Sequence, residues 1–211
     1  NVQGEGAEAS FPATINAGDD WFYLNDGSDQ GTAWRTLTFD QSNWEEGATE
    51  IGYGDGDEVT DLGVPATPRP ITTYFRKYIN MENIAMYNSL DLEAVRDDGI
   101  VVYVNNVEVW RNNMPTEGAI AFDDEAITGI SGSDEDFWNT QNVNSFPLVE
   151  GVNIIAVEIH QSSVNSGDIS FNFKLTPSTS IAPTIEVERG PYLQSGTPTS
   201  VVVKWRTAVE T

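Results

Sequence analysis

Four carboxylates crowd into the segment "YGDGDEVTD", where Asp55, Asp57, Glu58 and Asp61 stand among glycines. Calcium takes about six to eight oxygen ligands, many of them carboxylates and backbone carbonyls from flexible loops, and glycine lets the backbone fold around an ion. Two readings are open, a calcium loop or a solvated acidic loop, and spacing alone does not separate them. "DGSDQG" (26–31) begins like an EF-hand loop. Its twelfth position falls on Leu37, where a bidentate glutamate is required, so it reads as a turn. Asp97-Asp98-Gly99 places two carboxyls side by side, and adjacent carboxyls can split their pKa values for acid–base work. Neighbours on a strand face opposite ways, however, and D-D-G before a hairpin strand is an ordinary turn, which is the preferred reading.

His160 is the only histidine and ends the apolar run "EIHQ". Its alternation with Ile159 puts it on the face away from the core, as a hydrogen-bonded framework residue. With no cysteine and no second histidine, a zinc site or thiolate chemistry has no ligands. A two-metal phosphoesterase site needs several histidines with Asp and Asn. One histidine, and no G-D-x-G or G-N-H-[DE] segment, excludes that chemistry from these 211 residues. Glycan binding needs an exposed aromatic ring beside hydrogen-bonding side chains. Trp44, Trp110 and Trp138 fall in or near loops and are the candidates, whereas Trp21 and Trp34 read as core. Packing into a sandwich is the competing fate of each.

The elements that would carry these residues are short strands. From Trp21 onward, apolar and aromatic runs are cut by Gly, Asp, Asn and Pro. "TTYFRKYI" (72–79) and "NSLDLEAV" (88–95) alternate and predict half-buried strands with one wet face. In "DDGIVVYVNNVEVW" the pair Asn105-Asn106 predicts a two-residue hairpin turn, because Asn tolerates positive φ. Further strands are expected at 152–161 and 168–175. The stretch 111–151 is long for a plain connection, and should hold a short strand near "FWNTQNV" within ordered loop. Residues 1–14 read as a flexible lead-in and 177–184 as a linker before a new β pattern at 185–211. Many short strands without intervening helices predict an all-β protein, an antiparallel jelly-roll β-sandwich over residues 15–176.

Composition agrees with a folded core, since 39% of residues are hydrophobic, with six Trp, seven Tyr and nine Phe. The net charge of −23 repels phosphate backbones and anionic lipid, which argues against nucleic acid and membrane surfaces as partners. No apolar run approaches the roughly 20 residues needed to cross a bilayer, and the chain carries no Asn-x-Ser/Thr acceptor.

Several segments in order, "WFYLNDGSDQGTAWR", "IGYGDGDEVT", "TTYFRK", "RDDGIVVYVNNVEV", "NNMP" and "NIIAVEIHQ", resemble the galactose-binding-like jelly-roll modules of secreted Bacteroidetes-type multidomain proteins. That resemblance covers about residues 20–176. It implies a non-catalytic accessory module, secreted or at the cell surface, that binds polysaccharide or a surface glycan, or serves as a spacer or adhesion unit. "PTIEVERGPYLQSGTPTSVVVKWRT" (183–207) resembles the first two strands of the fibronectin-like domain that opens purple-acid-phosphatase-type metallophosphoesterases. It implies downstream domains of the same polypeptide as partners, and a phosphoesterase as the parent enzyme.

Overall fold

A computed structural model describes residues 11–179, 187–197 and 199–207, with side chains left aside in 187–197 and 201–207. The chain divides into two compact units, meeting between Ser178 and Thr179.

The first unit is a β-sandwich of two sheets. Its strands are β1 (Asp20–Leu24), β2 (Glu45–Ala48), β3 (Ile51–Tyr53), β4 (Thr60–Asp61), β5 (Thr72–Met81), β6 (Ser89–Asp97), β7 (Gly99–Val104), β8 (Val107–Asn112), β9 (Asn139–Val143), β10 (Gly151–His160) and β11 (Ile169–Ser178). One sheet runs β2-β1-β5-β10-β7-β8 and the other β4-β3-β11-β6-β9. All pairings are antiparallel except that of β3 with β4. The β7–β8 turn is Asn105-Asn106, with φ of 47° and 70°, the left-handed pair that a tight hairpin requires. Three single turns of 3₁₀ helix, at Ala33–Arg35, Ile84–Met86 and Gly132–Asp134, are the described helical residues, and none is long enough to cross a membrane.

Alternation sorts the strand residues between faces. Ile100, Val102 and Val104 of β7, with Ile155, Val157 and Ile159 of β10, enter the main core between the sheets. There Trp21 meets Phe171 edge-on at 5.1 Å, and Phe75 stacks on Phe171 at 4.0 Å. The opposite face of β7 and β10 is not wet. Val101, Tyr103 and Ala156 pack with Trp34, Met114 and Ile120 into a second cluster beneath the 25–44 and 113–138 connections. The one-wet-face expectation therefore fails over Thr72–Arg76 of β5, while in β6 Asp91 and Glu93 keep a half-exposed face until Val95, where the strand becomes buried on both faces through Asp97. Long connections carrying their own apolar residues have folded back over the sheets.

The lead-in expected over 1–14 is also shortened. Phe11 packs at a tilt against Tyr78, ring centroids 5.3 Å apart, the Pro12 carbonyl accepts from the Asn80 N–H, and Ile15 pairs with Leu175. Residues 1–10 lie outside the described residues. The second unit is an antiparallel pair, β12 (Val187–Thr197) with β13 (Ser200–Thr207), interrupted by register shifts.

Candidate functional site

Two sites stand out, an acidic cluster at one end of the β3-β11-β6 sheet and a cleft beside the edge strands β2 and β4.

The cluster starts from strand register. Ser170 of β11 pairs with Gly52 of β3 on one side and with Asp97 of β6 on the other. At Gly54, φ is +115°, and a β-carbon there would lie 2.7 Å from the Asp168 Cβ. Only glycine lets the loop after β3 pass this close. Asp55 is thereby set beside Asp168, and Glu135, just past the 3₁₀ turn at Gly132–Asp134, joins them with ligand atoms within 4.8 Å of one another. Ser170 Oγ donates to Asp55 Oδ2 at 3.2 Å.

Asp97 is fully buried, and neither carboxyl oxygen has a hydrogen-bond donor. Burial first, then the neighbouring Asp98 and Asp168 carboxyls, push its pKa up to about 10. Gln161 is 1% exposed; its amide nitrogen donates to the Asp168 carbonyl at 2.6 Å, but its Oε1 is without a partner. Burial together with neighbouring carboxylates also raises the pKa values of Asp55, Glu135 and Glu50. Arg96 lies within electrostatic reach of the Asp97 and Asp98 carboxyls, but its hydrogen bonds, like those of Arg69, go to other groups. Arg96 donates to Asn112 Oδ1 and the Asp98 carbonyl, and Arg69 to the carbonyls of Pro65, Asn165 and Ser166.

The four carboxylates read from the sequence separate in space. Asp55, Asp57 and Glu58 do come together. Glu58, however, spends both oxygens on the N–H groups of Asp55 and Gly56, each at 2.9 Å, bracing the loop. Asp61 departs along β4, accepts from the Gly63 N–H, and lines the cleft instead. Asp97-Asp98 is not a solvated turn. The Asp98 carboxylate accepts from the N–H groups of Ile130 and Ser162 at 2.6 and 2.7 Å, tying two loops to the β6–β7 junction. Spacing does not single out Glu135, Gln161 or Asp168, and it reads Asp97 as part of a turn. The acidic run "SDED" (133–136) and the aspartate just before β11 are the available signals.

His160 lies on the face away from the main core, as alternation indicates, yet it is fully buried. Its Nδ1 is 2.8 Å from the Asp124 carbonyl, an acceptor that requires the proton on Nδ1, and 3.1 Å from Thr72 Oγ1. It anchors the 113–138 connection to β10.

Trp110 is 6% exposed and belongs to the main core, so it offers no free ring. Trp44 is half-buried against Trp34, Phe39 and Tyr74. Trp138 is half-buried, with the Lys174 ammonium 3.7 Å from its ring centroid. Adjacent Phe137 is 62% exposed.

The cleft, about 500 Å³, opens where β1 and β2 of one sheet approach β4 of the other. Thr60 Oγ1 donates to the Ala48 carbonyl across this edge. Glu45 and Asp61 bring carboxylates, Asn25 and Asn43 amides, and Leu62 and Val64 apolar surface. Tyr23 donates to Glu45 at 3.0 Å, and burial, followed by that glutamate, pushes its pKa up to about 12.

No family model matches the chain, and no curated protein matches it. Among solved structures, a beta-glycosidase from Bacteroides vulgatus has a TM-score of 0.43 and 15% identity, over 94% of this chain and 24% of that one. A glycosyl hydrolase family 2 member from Bacteroides cellulosilyticus gives 0.47 and 15%, over 86% and 22%. The apo β-glucuronidase of Ruminococcus gnavus gives 0.48 and 10%, over 98% and 36%. The chain thus spans about a quarter to a third of the proteins it matches, and likeness of this degree does not carry their activities to it. The purple-acid-phosphatase resemblance of residues 183–207 draws no support from these structures.

Proposed function

We infer that the sandwich is a non-catalytic carbohydrate-binding module of a larger secreted protein, and that a neutral glycan occupies the cleft between β2 and β4. The observation that carries this reading is the lining of the cleft. Sugar hydroxyls donate readily to carboxylates and amide oxygens such as those of Asp61, Glu45 and Asn43, while Leu62 and Val64 suit the C–H face of a sugar ring. The carboxylates and the net charge of −23 disfavour uronates and sulfated chains. A position ahead of a phosphoesterase domain rests on the 183–207 resemblance alone.

Affinity electrophoresis of the 211-residue chain through neutral and anionic polysaccharides tests the reading. Retardation by a neutral glycan, weakened about 10-fold or more by Asn43→Ala and by Asp61→Asn, is expected. Equal mobility in every polysaccharide would leave a spacer, and retardation unchanged in both variants would move the site elsewhere.

A further inference from the structure

The acidic cluster is a different matter from the cleft and stands on different residues. Asp55, Glu135 and Asp168 converge within 4.8 Å, and the described ion pairs, which join Arg35 to Glu158, Lys77 to Asp19, Arg111 to Glu108 and Lys174 to Glu93, touch none of the three. Exposed acidic groups gather on many surfaces without a ligand. Here two buried side chains add a separate observation. Asp97, fully buried, lies against the Asp168 carboxyl with both oxygens lacking a donor. Gln161, also buried, turns its nitrogen to the Asp168 backbone and leaves Oε1 unpaired. Two carboxylates cannot hydrogen-bond each other unless a proton lies between them. A buried acceptor without a donor costs roughly what a lost hydrogen bond costs, and more when it is charged. Every unpaired atom at this spot is an oxygen, so it is satisfied either by a proton on Asp97, as in the metal-free protein, or by a cation that accepts the lone pairs in its place.

The geometry points to a calcium site formed by the carboxylates of Asp55, Glu135 and Asp168, backed by the buried oxygens of Asp97 and Gln161. The donor set is all oxygen, with no His or Cys, which selects a hard cation over zinc. Its members come from three loops and from the end of β6, an irregular arrangement that suits calcium's variable coordination better than magnesium's strict octahedron. The ion ties the loop after β3, the β10–β11 connection and the 130–136 stretch to the end of β6. It thereby fixes the segment that presents Phe137.

The test uses the 211-residue chain stripped with EGTA, then titrated with calcium, magnesium or zinc while melting is followed. Calcium at about one hundred times its dissociation constant should raise the melting temperature by about 5–10 °C, because it binds only the native state. Magnesium and zinc at the same concentration should do much less. Glu135→Gln, half-exposed and outside the core, should melt like the parent without calcium yet bind calcium at least about 10-fold more weakly. Asp97→Asn should lose the calcium response while keeping or gaining stability in EGTA, because its buried carboxyl is relieved. Asp61→Asn should respond to calcium like the parent, even if glycan binding at the cleft is lost. An unchanged melting temperature on adding calcium, an equal response to magnesium, or a parental response in both Glu135→Gln and Asp168→Asn overturns the proposal.

Discussion

Gly52→Ala is the sharpest single perturbation of the sheet that carries the acidic cluster. Gly52 is buried at the centre of β3, between β4 and β11, and pairs with Ser170. A β-carbon built there would sit 1.9 Å from the Ile169 carbonyl oxygen, 3.0 Å from its carbon and 3.3 Å from Ser170 Cα. The obstruction is backbone, so no rotamer change relieves it. A carbon and an oxygen need more than 3 Å, and β3 and β11 must separate by about 1 Å or more. Inserting one methyl group into a packed core costs about 1–3 kcal/mol when side chains can yield. Here the strand must yield, and at least about 3 kcal/mol is expected. For a domain of this size each kcal/mol shifts the melting temperature by about 2–4 °C, so a fall of about 6–12 °C should follow. Circular dichroism melts, with tryptophan emission as a second probe, measure it. A melting temperature within about 2 °C of the parent would show that β3 does not run against β11 in this register, and would remove the support for placing Asp55 beside Asp168.

Other expectations follow from single groups. His160→Ala removes the ring that bonds the Asp124 carbonyl and Thr72 Oγ1, and should destabilise by about 1–3 kcal/mol. Limited proteolysis within 113–138 should accelerate in that variant, and unchanged cleavage would show that the connection is anchored by other contacts. Burial, then the Glu45 carboxylate, holds the Tyr23 hydroxyl at a folded pKa of about 12, above its ordinary value of 10.0. Its contribution is therefore complete below pH 10 and is lost as pH rises toward 12, where the unfolded chain ionises first. Ultraviolet titration should show the tyrosine that ionises near pH 12 in the parent move part of the way toward 10 in Glu45→Gln, burial keeping the rest of its elevation, and coincident curves would contradict the Tyr23–Glu45 bond.

How far the site could be read from the chain depends on the distance between its parts. Asp55 was visible because its neighbours in sequence are also its neighbours in space. Glu135, Gln161 and Asp168 lie 80 to 113 positions from Asp55, and it takes the pairing of β11 with both β3 and β6, together with the tie of the 130 loop to Asp98, to bring them together. Asp97 shows the limit most clearly. Followed by Asp98 and Gly99 it has the composition of a turn, yet it is fully buried, and the adjoining Asp98 carboxylate binds loops that arrive from 130 and 162.

Local chemistry determined what local chemistry can. Asn105-Asn106 set the hairpin because positive φ is a property of two residues, and alternation sorted the β7 and β10 side chains between faces because the strand period is two. The absence of cysteine and the single histidine bounded the metal chemistry before any fold was known. Which face is wet, which tryptophan is free and which carboxylates converge were decided only by tertiary structure. Burial is set by whatever chain folds over a surface, and here the 25–44 and 113–138 connections cover positions that alternation alone would leave in water.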